Sequence, residues 1–386
     1  MKLASRMSRL GTETAFEALA RARALEAEGR SIIHLGIGEP DFDTPEHIRD
    51  AAKGALDGGF THYTPSPGIM EVREAIARHQ SERQGYDVER ERIVVTPGGK
   101  PVMFFTILAL AEEGDEVIYP NPGFPIYESM IRFAGATPVP WPLREENDFA
   151  ADVGELRDLV SARTKLIIVN SPNNPCGSVI PEDGLRQIAE IANETDAVVL
   201  SDEIYKDFYF EGEHISITRF PGMRERTVIL DGLSKSYAMT GWRVGYGVFP
   251  EPLVEPVSRL MTNSVSCTAG FSQIATVAAL ESSQEPTRAM VAEFRQRRDV
   301  IVGGLNALPG VRCRVPKGAF YTFPSIAGTG LSSQEFEHRM LADAGVSLLS
   351  GTAFGAGGEG YVRISFANSV ANIEEALRRM ERVLAG

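Results

Sequence analysis

Cysteine is scarce. Cys176, Cys267 and Cys313 are the only three in 386 residues, too few and too scattered for a disulfide framework or a zinc site. A reducing compartment, the cytoplasm, suits such a chain. Basic charge is also in deficit, with 39 Lys and Arg against 52 Asp and Glu and a formal net charge of −13. That surface repels nucleic acid and acidic membranes, and no dense Lys/Arg cluster offsets it locally. The expected partner is therefore a small molecule. Long apolar runs are missing too: the longest, Val102–Ala111, falls far short of the roughly 20 residues of a membrane span and reads as a buried helix. The opening stretch MKLASRMSRLGTETAF has no apolar core and no cleavage-like site, so secretion is not indicated. The six histidines show no ligand spacing, and no metal is expected.

What is present is ordinary globular composition, 43% hydrophobic and 24% charged, in a chain longer than one hydrophobic core usually serves. We expect an N-terminal arm contributing to a small domain (1–45), a large domain (46–284) and a small C-terminal domain (285–386). An amphipathic stretch, Phe16–Glu28, stops at Gly29 and leads into a short strand at Ile32–Leu35. Beyond Thr44, short apolar runs alternate with helical ones, which predicts βαβ units on a mostly parallel sheet. The strands are expected at Ile93–Thr96, Glu116–Tyr119, Lys165–Asn170, Ala197–Ser201 and Thr227–Leu230. A long charged helix over Thr287–Leu305, strands near Ala319–Phe323 and Tyr361–Phe366, and a final helix from Ile373 describe a smaller α+β unit. The fold class is thus an α/β three-layer sandwich with that unit attached.

Ligands of parallel sheets bind outside the carboxyl ends of the strands, and four strands here run directly into unusual chemistry. IVVTPGGKPVMFF places Gly98 and Gly99 before a helix whose first turn holds Pro101, a junction that presents free N–H groups to a phosphate. LIIVNSPNNPCG offers Asn173 and Asn174, which are turn residues or amide donors to a ring oxygen. VVLSDEIYKDFYF carries Asp202 and Glu203 at the end of a buried strand, where an acid is paired or functional. TVILDGLSKSYAMTGWRVGYG sets Lys235 among small residues, with Arg243 following. Taken singly each has a bland reading as a turn or a solvated side chain. Together they are what an aldehyde cofactor with a phosphate and a ring nitrogen requires: Lys for the covalent link, Asp for the ring nitrogen, and Arg with backbone amides for the phosphate.

GLSKSYAMTGWRVG at Gly232–Gly245 resembles throughout the pyridoxal-phosphate attachment signature of class I aminotransferases. The resemblance extends through GEPDFDTP, THYTPSPGIMEVREAI, NSPNNPCG, SDEIY and VRISFA, and is strongest to the bacterial branch of aspartate and prephenate aminotransferases. It implies the fold type I architecture, pyridoxal 5'-phosphate as cofactor and transfer of an amino group from an L-amino acid, such as aspartate or another acidic one, to a 2-oxo acid such as 2-oxoglutarate. By this resemblance Lys235 carries the cofactor and moves the α-proton, Asp202 pairs with the ring nitrogen, and Tyr205 and Asn174 bond the ring oxygen. Gly98, Gly99, Lys100 (through its backbone), Gly232, Ser234 and Arg243 lie where the phosphate is held, and Phe124 stacks on the ring. Arg363 matches the arginine that grips the α-carboxylate, and Gly38 lies in the segment that closes over it. Tyr63 matches a tyrosine reaching the neighbouring subunit's phosphate, which implies a homodimer with shared sites. Lys100 also preserves a side chain that reads a distal carboxylate in that branch. Cys176 stands where the family has Thr, TNSVSCTAG lacks the basic residue of the classical aspartate enzymes, and Glu13 and Ala15 replace polar residues of the arm. The alternative is the same cofactor used for β-elimination, γ-replacement or another specialised biosynthetic reaction.

GAGGEG at Gly355–Gly360 matches G-x-G-x-x-G but precedes a strand, so it is no dinucleotide fingerprint.

Overall fold

The computed structural model describes residues 1–195 and 197–385. Its strands in chain order are β1 (Ile33–His34), β2 (Ile93–Thr96), β3 (Glu116–Asn121), β4 (Thr137–Pro142), β5 (Thr164–Asn170), β6 (Val198–Asp202), β7 (Thr227–Gly232), β8 (Gly245–Val248), β9 (Tyr321–Thr322), β10 (Val346–Ser347), β11 (Leu349–Ser350) and β12 (Val362–Ser365).

Seven of them form one sheet in the order β2-β8-β7-β6-β5-β3-β4. All pairs from β7 to β4 are parallel, and β8 alone runs against both of its neighbours. Successive side chains leave a strand on opposite faces, and the packing follows that alternation. Leu166, Ile168, Leu200, Val228 and Leu230 join a core formed with the helices Lys100–Leu110, Ile126–Ala134 and Glu251–Ser264. Their neighbours Ile167, Val169 and Val199 join a second core, which includes Leu185, Ile188 and Ala192 of the helix Glu182–Thr195. Ile229 belongs to a third, with the helices Glu46–Asp57, Met70–Gln84 and Gly270–Glu281. Helices therefore cover both faces of the sheet, giving the expected three layers.

Two strands of this sheet are not legible in the sequence, nor are the two-residue strands β10 and β11 outside it. Thr137–Pro142 (TPVPWP) carries three prolines, which removes ladder donors and confines it to the sheet edge, where β4 lies. In Gly245–Val248 (GYGV) the glycines hide the strand pattern, and the reason for one is steric. A Cβ on Gly245 would stand 2.5 Å from the carbonyl carbon of Gly98 and from the nitrogen of Gly99.

Another core gathers Phe294, Ile301 and Leu305 of the helix Glu285–Ala307 with Phe320, Ile364, Phe366, Ile373 and Met380, and takes in Tyr205, Phe208 and Phe210 from the segment after β6. The strands β11-β12-β9 here are antiparallel, and β1 from the N-terminal arm pairs in parallel with β10. Ile33 and Leu35 enter this same core, so the arm packs with the C-terminal region. Among the described residues no helix is long and apolar enough to cross a membrane.

Candidate active site

The carboxyl ends of β5, β6 and β7 deliver Asn170, Asp202 and Gly232 to one edge of the sheet. Beyond that edge opens a cavity of about 490 Å³. Its wall holds Gly38, Gly99, Lys100, Phe124, Asn174, Asp202, Tyr205, Ser234, Lys235, Arg243 and Arg363, each of which the sequence singles out. Gly98, Gly232 and Tyr63 are not part of that wall. Gly98 sits one position behind it at φ +85°, and Gly232 is buried where its strand crosses Gly245, a Cβ there lying 3.0 Å from the Gly245 Cα. Tyr63 stands on the open surface, 90% exposed.

Lys235 projects from the loop after β7 and donates through Nζ to the carbonyl oxygen of Gly38. Burial pushes its ammonium down to about 8; the Arg363 guanidinium adds to this, while Glu39 and Glu13 act in the opposite direction. A depressed lysine pKa leaves a larger share of free amine at neutral pH, the form that attacks a carbonyl. The residue after it is clamped. Ser236 Oγ donates to Asp207 at 2.5 Å, and the Ser236 carbonyl accepts from Thr287 Oγ1 at 2.8 Å. Behind the loop, buried Asp231 accepts from Lys206 at 2.9 Å, Tyr246 at 2.6 Å and Gln80 at 3.1 Å.

Asp202 is buried, which raises its carboxyl to about 6, although the Tyr127 hydroxyl, donating at 2.5 Å, and the Ile204 N–H at 3.2 Å favour the ionised form. Burial holds the Tyr127 phenol well above its usual range, so the proton stays on the tyrosine. Asn174 lies across the cavity with its N–H donating to Asn170 Oδ1 at 2.9 Å. The Tyr205 hydroxyl meets that of Tyr321 at 2.7 Å.

Arg363, on β12, is buried between the rings of Tyr321 and Phe354, whose centroids lie 4.4 and 4.6 Å from its guanidinium. It donates to Asn174 Oδ1 at 2.9 Å and to the Gly36 carbonyl at 2.6 Å, and its Nε has no hydrogen-bond partner. A buried guanidinium with an idle donor is equipped to take a carboxylate.

At the opposite side, helix Lys100–Leu110 starts at Gly99, and its first N–H groups have no acceptor within the helix. Arg243, itself at φ +55°, donates to the Thr240 carbonyl at 2.8 Å and lies so close to Gly98 that a Cβ there would be 2.2 Å from Nη2. Arg243, Ser234 and the helix start at Gly99 thus line the wall together, a set of donors of the kind that suits an anion. Lys100 points its ammonium elsewhere, to Glu13 Oε2 at 2.6 Å.

Little in the sequence pattern marks Tyr127, Tyr321, Gly36 and Glu39 as site residues, yet each contacts or lines the site. Tyr127 follows Phe124 by three positions in GFPIY, which is the one available signal; Tyr321 sits in a run, GAFYTF, indistinguishable from core.

Comparison with known proteins agrees with this geometry. The family described as aminotransferase class I and II matches residues 30–380. An aspartate aminotransferase of Pyrococcus horikoshii is 43% identical over 358 residues, covering 92% of this chain and 91% of that protein. An aromatic-amino-acid aminotransferase of Thermococcus litoralis is 44% identical, with 92% of each chain covered. Among solved structures, the aspartate aminotransferase of Thermus thermophilus with maleate superposes with a TM-score of 0.94 at 37% identity, covering 99% of this chain and all of that one. The chain belongs to the class I and II aminotransferases, pyridoxal-phosphate enzymes of fold type I that move an amino group between an amino acid and a 2-oxo acid.

Proposed function

We propose that the cavity performs this transfer with Lys235 as the proton carrier, Asp202 beneath the cofactor ring and Arg363 as the grip on the substrate's α-carboxylate. The observation that carries the reading is the convergence of these three side chains on one wall, with the lysine pushed down to about 8.

The residues suit pyridoxal 5'-phosphate. The Gly98 position, which a Cβ would close against Arg243, supports a tight cradle for its phosphate, built from Gly99, the Lys100 N–H, Ser234 and Arg243. Asp202 offers a buried carboxylate to a ring nitrogen, Tyr205 and Asn174 offer donors to a ring oxygen, and Phe124 offers a face for stacking. Bound there, the cofactor supplies a carbonyl for amine exchange and an electron-withdrawing ring that acidifies the substrate's α-carbon. The chain does the rest. The Lys235 amine, held toward Gly38, takes and returns a proton, and burial of Asp202 keeps water from competing for its charge. Arg363 orients the substrate with a guanidinium whose Nε is unpartnered, and the Tyr321 and Phe354 rings keep that guanidinium dry.

The donor is an L-amino acid and the acceptor a 2-oxo acid such as 2-oxoglutarate. Lys100 supports an acidic side chain such as that of aspartate, and Phe16 and Phe124 support an aromatic one; the relatives above carry names of both kinds. A homodimer is supported by exposed Phe60, Tyr63 and Val265 at the surface where the Thr64 N–H meets Cys267 Sγ. The division at residues 45 and 284 is supported by a core built mainly from the arm and the C-terminal elements, into which Tyr205, Phe208 and Phe210 also reach, and a cytoplasmic setting by three unpaired thiols.

The test is a half-reaction. An amino acid added alone should release one equivalent of its 2-oxo acid per site and stop, leaving the cofactor in its amino form. Continuous release of ammonia with pyruvate would instead mean elimination.

A further inference from the structure

An aminotransferase receives two substrates in turn in one cavity, and their side chains often differ in charge. The cavity wall here has a feature suited to that problem. Of its cations, Arg363 is held by Asn174 and Gly36, Arg243 by Thr240, and Lys235 by Gly38. Lys100 remains, and its partner is a carboxylate of the same wall: Glu13 Oε2 stands 2.6 Å from Lys100 Nζ.

We infer that Glu13 determines side-chain specificity as a built-in carboxylate, holding Lys100 while an uncharged side chain is bound and yielding it to an acidic one. This rests on the aminotransferase reading of the cavity. Around the pair the wall is apolar, with Ala15, Ile37 and the rings of Phe16 and Phe124, whose centroids are 5.9 and 5.5 Å from the ammonium. An aromatic side chain set against a bare ammonium would strip it of water, a cost that contact with a ring face returns only in part. With Glu13 in place the ammonium is already neutralised and the rings offer contact area. A dicarboxylate presents its own oxygen to Lys100, and the exchange of one carboxylate for another is nearly balanced. The pair is partly open to solvent, with side-chain exposures of 47% and 22%, so breaking it costs little.

The backbone suits a moving side chain on a fixed mount. The arm is pinned just before Glu13 by the Gly11 N–H donating to Ser129 Oγ at 2.9 Å, and just after it by the helix Ala15–Ala27, where the Phe16 N–H donates to the Glu13 carbonyl at 3.3 Å. Only the Glu13 side chain has to turn.

The experiment measures equilibrium binding to the cofactor-loaded enzyme of two acids that lack an amino group and cannot react, succinate and 3-phenylpropionate, by titration calorimetry. Glu13→Gln should tighten succinate roughly two- to fivefold, the range of a partly exposed ion pair, and leave 3-phenylpropionate unchanged or weaker. Glu13→Ala should do the same. In a Lys100→Ala background the Glu13→Gln gain should vanish, because the two residues act through one interaction. Unchanged or weaker succinate binding in both Glu13 variants, or a gain that survives without Lys100, overturns the inference while leaving the aminotransferase reading intact. Failure of the parent enzyme to bind either acid overturns both.

Discussion

Arg363 and Asn174, 189 positions apart in the chain, meet as donor and acceptor across 2.9 Å. One comes from the C-terminal antiparallel strands and the other from the loop after β5 of the central sheet, so this contact joins those two elements in the wall of the cavity. Arg363→Lys keeps a charge but loses the planar fork. Its kcat/KM should fall by about 10²–10³-fold, matching the few kcal/mol usually lost when a buried charged hydrogen-bond partner is truncated. Asn174→Ala should fall less, by about tenfold. Steady-state kinetics with one amino acid and one oxo acid decide it; an unchanged Arg363→Lys enzyme would remove the arginine from substrate binding.

Lys235→Ala should bind pyridoxal phosphate without a covalent link. Borohydride treatment followed by mass spectrometry should add to the parent chain the cofactor's mass less one water and plus two hydrogens, and nothing to the variant. In the parent, the rate of covalent attachment to the cofactor-free chain should rise with pH through a midpoint near 8, where burial holds the amine. Because Arg363 is the second cause of that depression, its removal should move the midpoint upward.

Tyr127 donates to Asp202 and favours its ionised form. Tyr127→Phe removes that donor, so the Asp202 pKa rises above about 6 and the acidic limb of the pH–rate profile should move to higher pH. Asp202→Asn should abolish the limb and lower kcat by about 10²-fold or more, the scale of a lost buried electrostatic contact. A profile unmoved in Tyr127→Phe would show that the limb belongs to another group.

Gly98 takes φ +85°, and its missing Cβ leaves room for the Arg243 guanidinium. Gly98→Ala should weaken pyridoxal phosphate binding at least about tenfold in equilibrium titration, since it dislodges the cradle. It should also destabilise the cofactor-free chain by about 1–2 kcal/mol, the cost of a left-handed conformation with a Cβ.

Glu203 gives a stability test away from catalysis. Burial raises its carboxyl to about 7, despite donors from Ser216 at 2.6 Å and Ser201 at 3.0 Å. His214, 3.7 Å away, is itself pushed down to about 3 by burial and is neutral at ordinary pH. The folded state therefore holds its proton more tightly than the unfolded one, and this group's contribution is lost as pH rises from about 4.5 to about 7. Glu203→Gln should melt higher than the parent above pH 7, with the advantage shrinking toward acid. Equal melting temperatures across the range would contradict this.

The sequence was informative where chemistry interrupts pattern. Asp202 at the end of VVLSD, Asn174 after LIIVN and Lys235 after TVILDG are polar residues at strand ends, where packing alone has no use for them, and all of them reach the cavity. It was silent where function borrows residues that packing would choose anyway. Tyr127 and Tyr321 are as buried as any core aromatic, and only their partners, Asp202 and Tyr205, set them apart. Pairings across great chain distance were equally hidden, as between Lys235 and Gly38 or Arg363 and Gly36.

Strand β1 is only two residues long, yet its pairing with β10 ties the segment holding Gly36 and Gly38 to the region that carries Arg363. Lys235, Asp202 and Asn174 come from the loops and strand ends at the carboxyl edge of the central sheet. The Gly36 and Gly38 carbonyls and Arg363 are thus braced together by a two-residue ladder, which sets the reach from the guanidinium to the reacting amine as firmly as the large sheet does.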